Sequence, residues 1–341
     1  MVKKKIAFIG TGFIAQICHL PNYANNKKVE IVAICDNDLK IAKFVAKKFK
    51  IKNIYKNYKD LINYEKKIDA IILTVPRHLT YEISKEILKN KINLFSEKPM
   101  ALSKKSALEL TKIAKKNKLI YVIGHMKRHD EKIKYFKNLL NKKDYNINSL
   151  KSIYYESFAG DSFGKLKNLI KKNKKYKSHF LNFDVNKNKV PKDKKIRFLK
   201  FLNTHSHAIN LLRYLFGELK LEFNYLNLDG EGIVGFKKNN KIFLLNSRKI
   251  FSNNWHENIS INFSKFKVKI NFPMPMKIKH QNTISITNLK NSQTRIIKLK
   301  NNWSFKNQAN SFVQNLYSKK NLICQGSDCV EDLNIIESIF L

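Results

Sequence analysis

Eleven residues near the start of the chain constrain its fold more than any other stretch. Lys5-Ile6-Ala7-Phe8-Ile9 is an apolar, strand-like run, and it breaks at once into Gly10-Thr11-Gly12-Phe13-Ile14-Ala15. Each small residue meets a mechanical demand. Gly10 permits a tight turn at the end of the strand, and Gly12 leaves the backbone bare enough for an anion to come close. Ala15 lets a helix begin packed against the strand, with its open N–H groups facing that anion. Phe13 and Ile14 lie in the same turn, so the pattern predicts that Gly10, Gly12, Phe13 and Ile14 hold the pyrophosphate of a dinucleotide. A second apolar run, 29–34, leads to Cys35-Asp36-Asn37. Asp36 falls about twenty residues past the turn, where a carboxylate meets the adenosine ribose hydroxyls. A carboxylate there repels a 2′-phosphate and Asn37 adds no positive charge. The expected cofactor is therefore NAD, with NADP as the alternative because Lys40 is close.

Further apolar runs at 70–75, 93–95 and 120–123 alternate with segments 39–49, 80–89 and 103–115, whose apolar residues recur at helical spacing. Strand alternating with helix predicts a doubly wound parallel sheet of the Rossmann type. Beyond Gly124 the pattern changes. Segments 152–158, 221–228, 232–236, 241–247, 257–263, 266–272 and 283–289 read as strands, most with no helix between them, which predicts a mostly antiparallel open sheet. A helix over about 204–216, closed by Gly217, interrupts them, and another at about 305–317 follows. Residues 165–200, rich in Lys and Asn, are expected to be irregular. With 341 residues, two domains are expected: a dinucleotide-binding domain over 1–123, and an α+β domain over 124–341 for substrate binding and oligomerisation.

The fourth strand runs into Ser96-Glu97-Lys98-Pro99. That places Lys98 at the carboxyl end of a parallel strand, where open α/β sheets bind ligands. At this point the chain resembles the glucose-fructose oxidoreductase and inositol dehydrogenase (Gfo/Idh/MocA) family, whose members carry the glycine turn and a Glu-Lys-Pro signature. Leu73-Thr74-Val75-Pro76-Arg77-His78 is similar to the family stretch beneath the nicotinamide. Gly124-His125-Met126-Lys127-Arg128 is similar to the segment leading into the second domain. The resemblance implies that Thr74, Pro76, His78, Glu97 and Lys98 line the cofactor. It also implies that the Lys98-Pro99 bond is often cis, that Lys98 touches the substrate hydroxyl as well, and that Arg128 belongs to the substrate site.

In Leu202-Asn203-Thr204-His205-Ser206-His207-Ala208-Ile209-Asn210, continuing to Tyr214, the residues Asn203, His207, Asn210 and Tyr214 share one helical face. This looks like the family's Asp-x-Gly-x-His-x-x-Asp helix, with Asn203 and Asn210 in place of the acids and His205 in place of glycine. An amide orients a hydroxyl but accepts no proton. His207, which titrates near neutrality, is thus expected as general acid/base beside Lys98, with Asn203 and Thr204 placing the substrate. Trp255-His256-Glu257 resembles a segment near the family's substrate pocket, so Trp255 joins the expected substrate residues. His205 and His207 at i and i+2 point to different faces, and no metal centre is expected.

Charge excludes less than its size suggests. The balance is 67 Lys and Arg against 26 Asp and Glu, or +41, but only six of the cations are Arg. Phosphate and base recognition favours Arg, and the lysines are spread over the whole chain, so no nucleic acid partner is expected. No apolar window approaches a membrane span, no signal-peptide core follows Met1, and the four cysteines form no Cys-x-x-Cys pair. A reducing cytoplasm and no membrane partner follow as expectations. The resemblance further implies a homodimer or homotetramer. The expected activity is an NAD(P)-dependent dehydrogenase or reductase acting on a secondary alcohol or ketone of a sugar-like substrate. The basic surface suits an anionic one such as a nucleotide-linked sugar. The alternative is a non-catalytic dinucleotide-binding sensor.

Overall fold

The computed structural model describes residues 2–64, 67–160, 188–250, 255–278, 282–299, 303–318 and 322–341. The first strand, β1 (Lys4–Ile9), enters the glycine turn. A helical segment follows, made of a π-helical turn at Ala15–His19 and then α1 (Leu20–Ala24). The chain continues through β2 (Val29–Cys35), α2 (Leu39–Phe49), β3 (Asn53–Tyr55), α3 (Tyr58–Tyr64), β4 (Ala70–Leu73) and α4 (Arg77–Lys89). It then forms β5 (Asn93–Ser96), α5 (Lys104–Lys116) and β6 (Tyr121–Ile123). The six strands make one sheet in the order β3-β2-β1-β4-β5-β6, with every pair parallel. Ile6 to Ile9 and Ala70 to Leu73 are buried throughout, as strands covered on both faces must be. The order reverses between β1 and β4, and Gly10 and Thr74 follow directly from those two strands. In doubly wound sheets, the carboxyl ends at such a reversal are where a ligand binds.

The second sheet follows α6 (Glu131–Leu139). Its elements are β7 (Leu150–Gly160), α7 (Lys195–Phe216), β8 (Lys220–Leu226), β9 (Gly232–Lys238), β10 (Lys241–Ile250), β11 (His256–Phe263), β12 (Phe266–Phe272), β13 (Thr283–Asn288) and β14 (Thr294–Ile296). They lie in the order β14-β13-β12-β11-β7-β10-β9-β8. Only the β7–β10 pair is parallel, so the mostly antiparallel expectation holds. Helices α8 (Ser304–Ser318) and α9 (Gly326–Ile339) close the chain.

Helix α7 begins at Lys195 rather than near 204. Phe198, Leu199, Phe201 and Leu202 are buried at helical spacing, so part of the stretch expected to be irregular belongs to the helix core. Residues 165–187 of that stretch lie outside the described residues.

Compact packing divides the chain into two units. Met1–Met126 and Phe305–Leu333 belong to the first, which holds the parallel sheet. Residues 127–160, Val190–Ser304 and Asn334–Leu341 belong to the second. The sequence division at 123/124 gives no hint of the return at Phe305. Among the described residues, no helix is long and apolar enough to cross a membrane.

Candidate functional site

In the first unit, the glycine turn is a braced cradle. Gly10 has a φ of +88°, and a Cβ there would sit 2.6 Å from the Thr74 carbonyl oxygen, so only glycine fits. Its N–H donates to the Cys35 carbonyl at 2.8 Å, and its own carbonyl accepts the Thr74 hydroxyl at 2.6 Å. Gly12 is the opposite case. A Cβ added there meets nothing within 4 Å, so the turn opens onto space at the point where a pyrophosphate would come close. Phe13 and Ile14 are half-buried beside it, and Asn37 is exposed.

Asp36 is buried and bonded into the turn. Its Oδ2 accepts the Thr11 N–H at 2.9 Å and the Thr11 hydroxyl at 3.1 Å, and its Oδ1 accepts the Asp38 N–H at 3.0 Å. The carboxylate that is expected to read the ribose therefore also holds the turn in shape. Next to it, the Cys35 thiol is pushed up to about 12 by burial and by the charges of Asp36 and Asp60.

Thr74, Pro76 and His78 line the approach to α4. Pro76 stands at its N-terminal cap, and His78 is half-buried in its first turn. Beyond β5, Glu97 Oε2 accepts the Lys98 N–H at 3.1 Å, while Oε1 lies 2.7 Å from His19 Nε2. His19 is 1% exposed, its ring packed against Phe95 and Phe305. Sequence reasoning missed His19. Its position one turn beyond Ala15 was the available signal, because the residue there faces the next strands of the sheet. The Lys98-Pro99 peptide is cis and Lys98 is half-buried.

In the second unit, α7 is buried almost throughout from Phe198 to Leu215, but it leaves Asn203 exposed and Thr204, His207 and Tyr214 half-buried. These four form an accessible stripe on a core helix. His205 faces the other way, buried, with Nδ1 3.0 Å from the Ser157 hydroxyl. Asn210 is 1% exposed and does not belong to the accessible stripe. Arg128 is 5% exposed, donates Nη2–H to the Asn210 carbonyl at 3.1 Å, and lies over the Tyr214 ring at 5.2 Å. In this position it braces α7.

Trp255 leads into a buried ionic cluster that the sequence did not suggest. Its indole N–H donates to Glu257 Oε2 at 3.1 Å. Glu257 Oε1 accepts the Tyr155 hydroxyl at 2.5 Å and a bond from Lys127 Nζ, which also donates to the Tyr155 oxygen at 3.3 Å. Lys127 is held below its ordinary range by burial, against the pull of Glu257. Burial raises the Tyr155 hydroxyl well above its own.

The glycine turn at the switch point, open at Gly12 and backed by a buried carboxylate, defines a dinucleotide-binding α/β unit. Residues 4–125 match the Gfo/Idh/MocA model, described as an oxidoreductase family with an NAD-binding Rossmann fold.

Inositol 2-dehydrogenase of Salmonella typhimurium is 30% identical over 140 residues, which are 40% of this chain and 41% of the relative. The 2,7-anhydro-N-acetylneuraminate hydratase of Escherichia coli is 26% identical over 133 residues, 39% of this chain and 34% of the relative. The chain thus matches about two fifths of the length of its inositol dehydrogenase relative. The whole fold resembles that of a 3-ketoreductase from Actinomadura kijaniata solved with NADP and TDP-benzene. The TM-score is 0.76 at 15% identity, covering 99% of this chain and 97% of that one.

Proposed function

We propose that the protein is an NAD(H)-dependent dehydrogenase or reductase that interconverts a secondary alcohol and a ketone on a sugar-like, anionic substrate. The observation that carries the reading is Lys98, which follows β5 at the ligand-binding end of the same sheet whose β1–β4 reversal holds the Gly12 cradle. Gly10, Gly12, Phe13 and Ile14 hold the pyrophosphate, Asp36 and Asn37 the adenosine ribose, and Thr74, Pro76, His78 and Glu97 the nicotinamide end. A bound nicotinamide supplies the hydride acceptor or donor.

The remaining work belongs to the chain. Lys98 donates a hydrogen bond from Nζ to the reacting oxygen of the substrate and favours its negative charge. His207 takes or returns the hydroxyl proton at a ring nitrogen, for which an imidazole is suited near neutrality. Asn203 and Thr204, accessible on the same helix face, orient neighbouring hydroxyls, and Trp255 supplies an apolar wall whose indole N–H is fixed by Glu257. The solved 3-ketoreductase holds a TDP ligand, and the Lys-rich surface attracts polyanions. Both favour a nucleotide-linked sugar as substrate.

The test is NADH absorbance with a panel of nucleotide-linked keto-sugars. Turnover is expected for one class of them. Lys98→Met and His207→Ala should each lower kcat by roughly 10²-fold or more with NADH affinity changed little. Binding of NADH without turnover of any alcohol, ketone or nucleotide-linked sugar would favour a dinucleotide sensor.

A further inference from the structure

We propose that His125, Cys329 and Asp332 form a buried site for a single zinc-class divalent cation, which pins α9 to the end of β6 within the first unit. The His125 ring nitrogen, the Cys329 sulfur and an Asp332 carboxylate oxygen lie within 4.8 Å of one another. All three residues are buried, at 4%, 2% and 3% exposure. Cys329 and Asp332 sit at i and i+3 on α9, which puts both side chains on one helical face. His125 comes from far away in sequence, two residues past β6.

The backbone around it is firmly set. Its N–H donates to the Ile123 carbonyl at 2.8 Å, and the Ile123 N–H donates to the Cys324 carbonyl at 2.9 Å, just ahead of α9. With its amide oxygen turned toward the two donors, Gln308 also accepts the His125 and Met126 N–H groups at 3.2 and 3.1 Å.

The spacing suits a metal. Tetrahedral zinc, with bonds of about 2.0 Å to nitrogen or oxygen and about 2.3 Å to sulfur, holds its donor atoms about 3.3–3.7 Å apart. His125 Nε2 and Asp332 Oδ2 are 3.6 Å apart, and the Cys329 sulfur lies within 4.8 Å of both donors. The donor set also fits a buried site electrically. One thiolate and one carboxylate neutralise a divalent cation, and the imidazole adds no charge, so no net charge is taken out of water. A mixed nitrogen, sulfur and oxygen set selects zinc or cobalt over magnesium or calcium. Binding displaces the thiol proton to solvent, which makes affinity rise with pH. The site explains why so polar a group of side chains is collected beneath α9. The sequence conceals it because its two halves are some two hundred residues apart.

The test uses the full chain, stripped with a chelator and titrated with cobalt(II), which reports a bound thiolate that zinc cannot. One equivalent is expected to bind, with a sulfur-to-cobalt charge-transfer band and tetrahedral visible absorption, and zinc should displace both. Cys329→Ser should remove the charge-transfer band, and Asp332→Asn should keep it while weakening binding roughly tenfold or more. Folding of each variant is read from its circular dichroism. Should the variants not fold, zinc K-edge absorption of the wild-type protein decides: one sulfur with nitrogen and oxygen neighbours is expected. Failure to bind cobalt, a band that survives in Cys329→Ser, or a zinc shell without sulfur or with several sulfurs would overturn the proposal.

Discussion

Removing the Asp36 carboxylate takes an acceptor from both the N–H and the hydroxyl of Thr11, inside the glycine turn. Asp36→Ala is therefore expected to weaken NADH binding and narrow its advantage over NADPH, and also to cost about 1–3 kcal/mol of stability through the buried donors it leaves behind. Calorimetric titration with both cofactors, beside urea unfolding, checks the two effects separately. A wild-type preference for NADPH would contradict the assignment of Asp36 to the ribose.

Asp130 gives a different expectation. It caps α6 by accepting the Lys132 and Ile133 N–H groups, and it accepts the Ser304 hydroxyl at 3.1 Å, yet burial holds its pKa above the ordinary range. The native state thus keeps this proton to higher pH than the unfolded chain does. Its contribution is fully present below the unfolded pKa and declines as pH rises through the folded value. Asp130→Asn keeps an accepting oxygen for the cap and should flatten that acid-range slope, whereas Asp130→Ala should lose about 1 kcal/mol of capping. Urea unfolding across the acid range distinguishes the two variants.

At the scale of elements, α7 separates a core face from an accessible one within three residues. His205→Ala should destabilise the protein, because it leaves the Ser157 hydroxyl without its ring partner and a cavity beside Phe201. His207→Ala should leave the melting temperature nearly unchanged while lowering kcat. On the same stripe, Asn203→Ala should act mainly through KM, and Asn203→Asp should preserve or raise activity. Thermal melts paired with steady-state kinetics check each expectation.

The face carrying Asn203 and His207 was legible from its spacing, and so were most strands of both sheets, because burial imposes a period that the sequence records. The start of α7 is obscured by the Lys- and Asn-rich stretch that runs into it, although Phe198, Leu199, Phe201 and Leu202 keep helical spacing. The three-residue strands β3 and β14 are too short to show a period. The ionic cluster of Lys127, Tyr155 and Glu257 joins three distant segments, and only the register of β7 against β11 brings Tyr155 and Glu257 near one another. Local sequence patterns do not encode such a register.

For the whole molecule, a formal charge of +41 means that repulsion works against the compact state over most of the surface. Added salt screens it, so the melting temperature should rise as sodium chloride increases from low to physiological strength. A fall would mean that the few surface ion pairs outweigh the repulsion.

Hydride exchange by a dinucleotide held in the Gly12 cradle is tested by following the hydrogen itself. With NADH deuterated on the transferring face of nicotinamide C4 and a nucleotide-linked keto-sugar, mass spectrometry should find one deuterium on the product's carbinol carbon, in step with NADH consumed. Gly12→Val fills the open cradle without meeting another atom at its Cβ, so it should fold and show no transfer. Product without deuterium, or equal transfer by Gly12→Val, would contradict hydride transfer from a dinucleotide in this cradle.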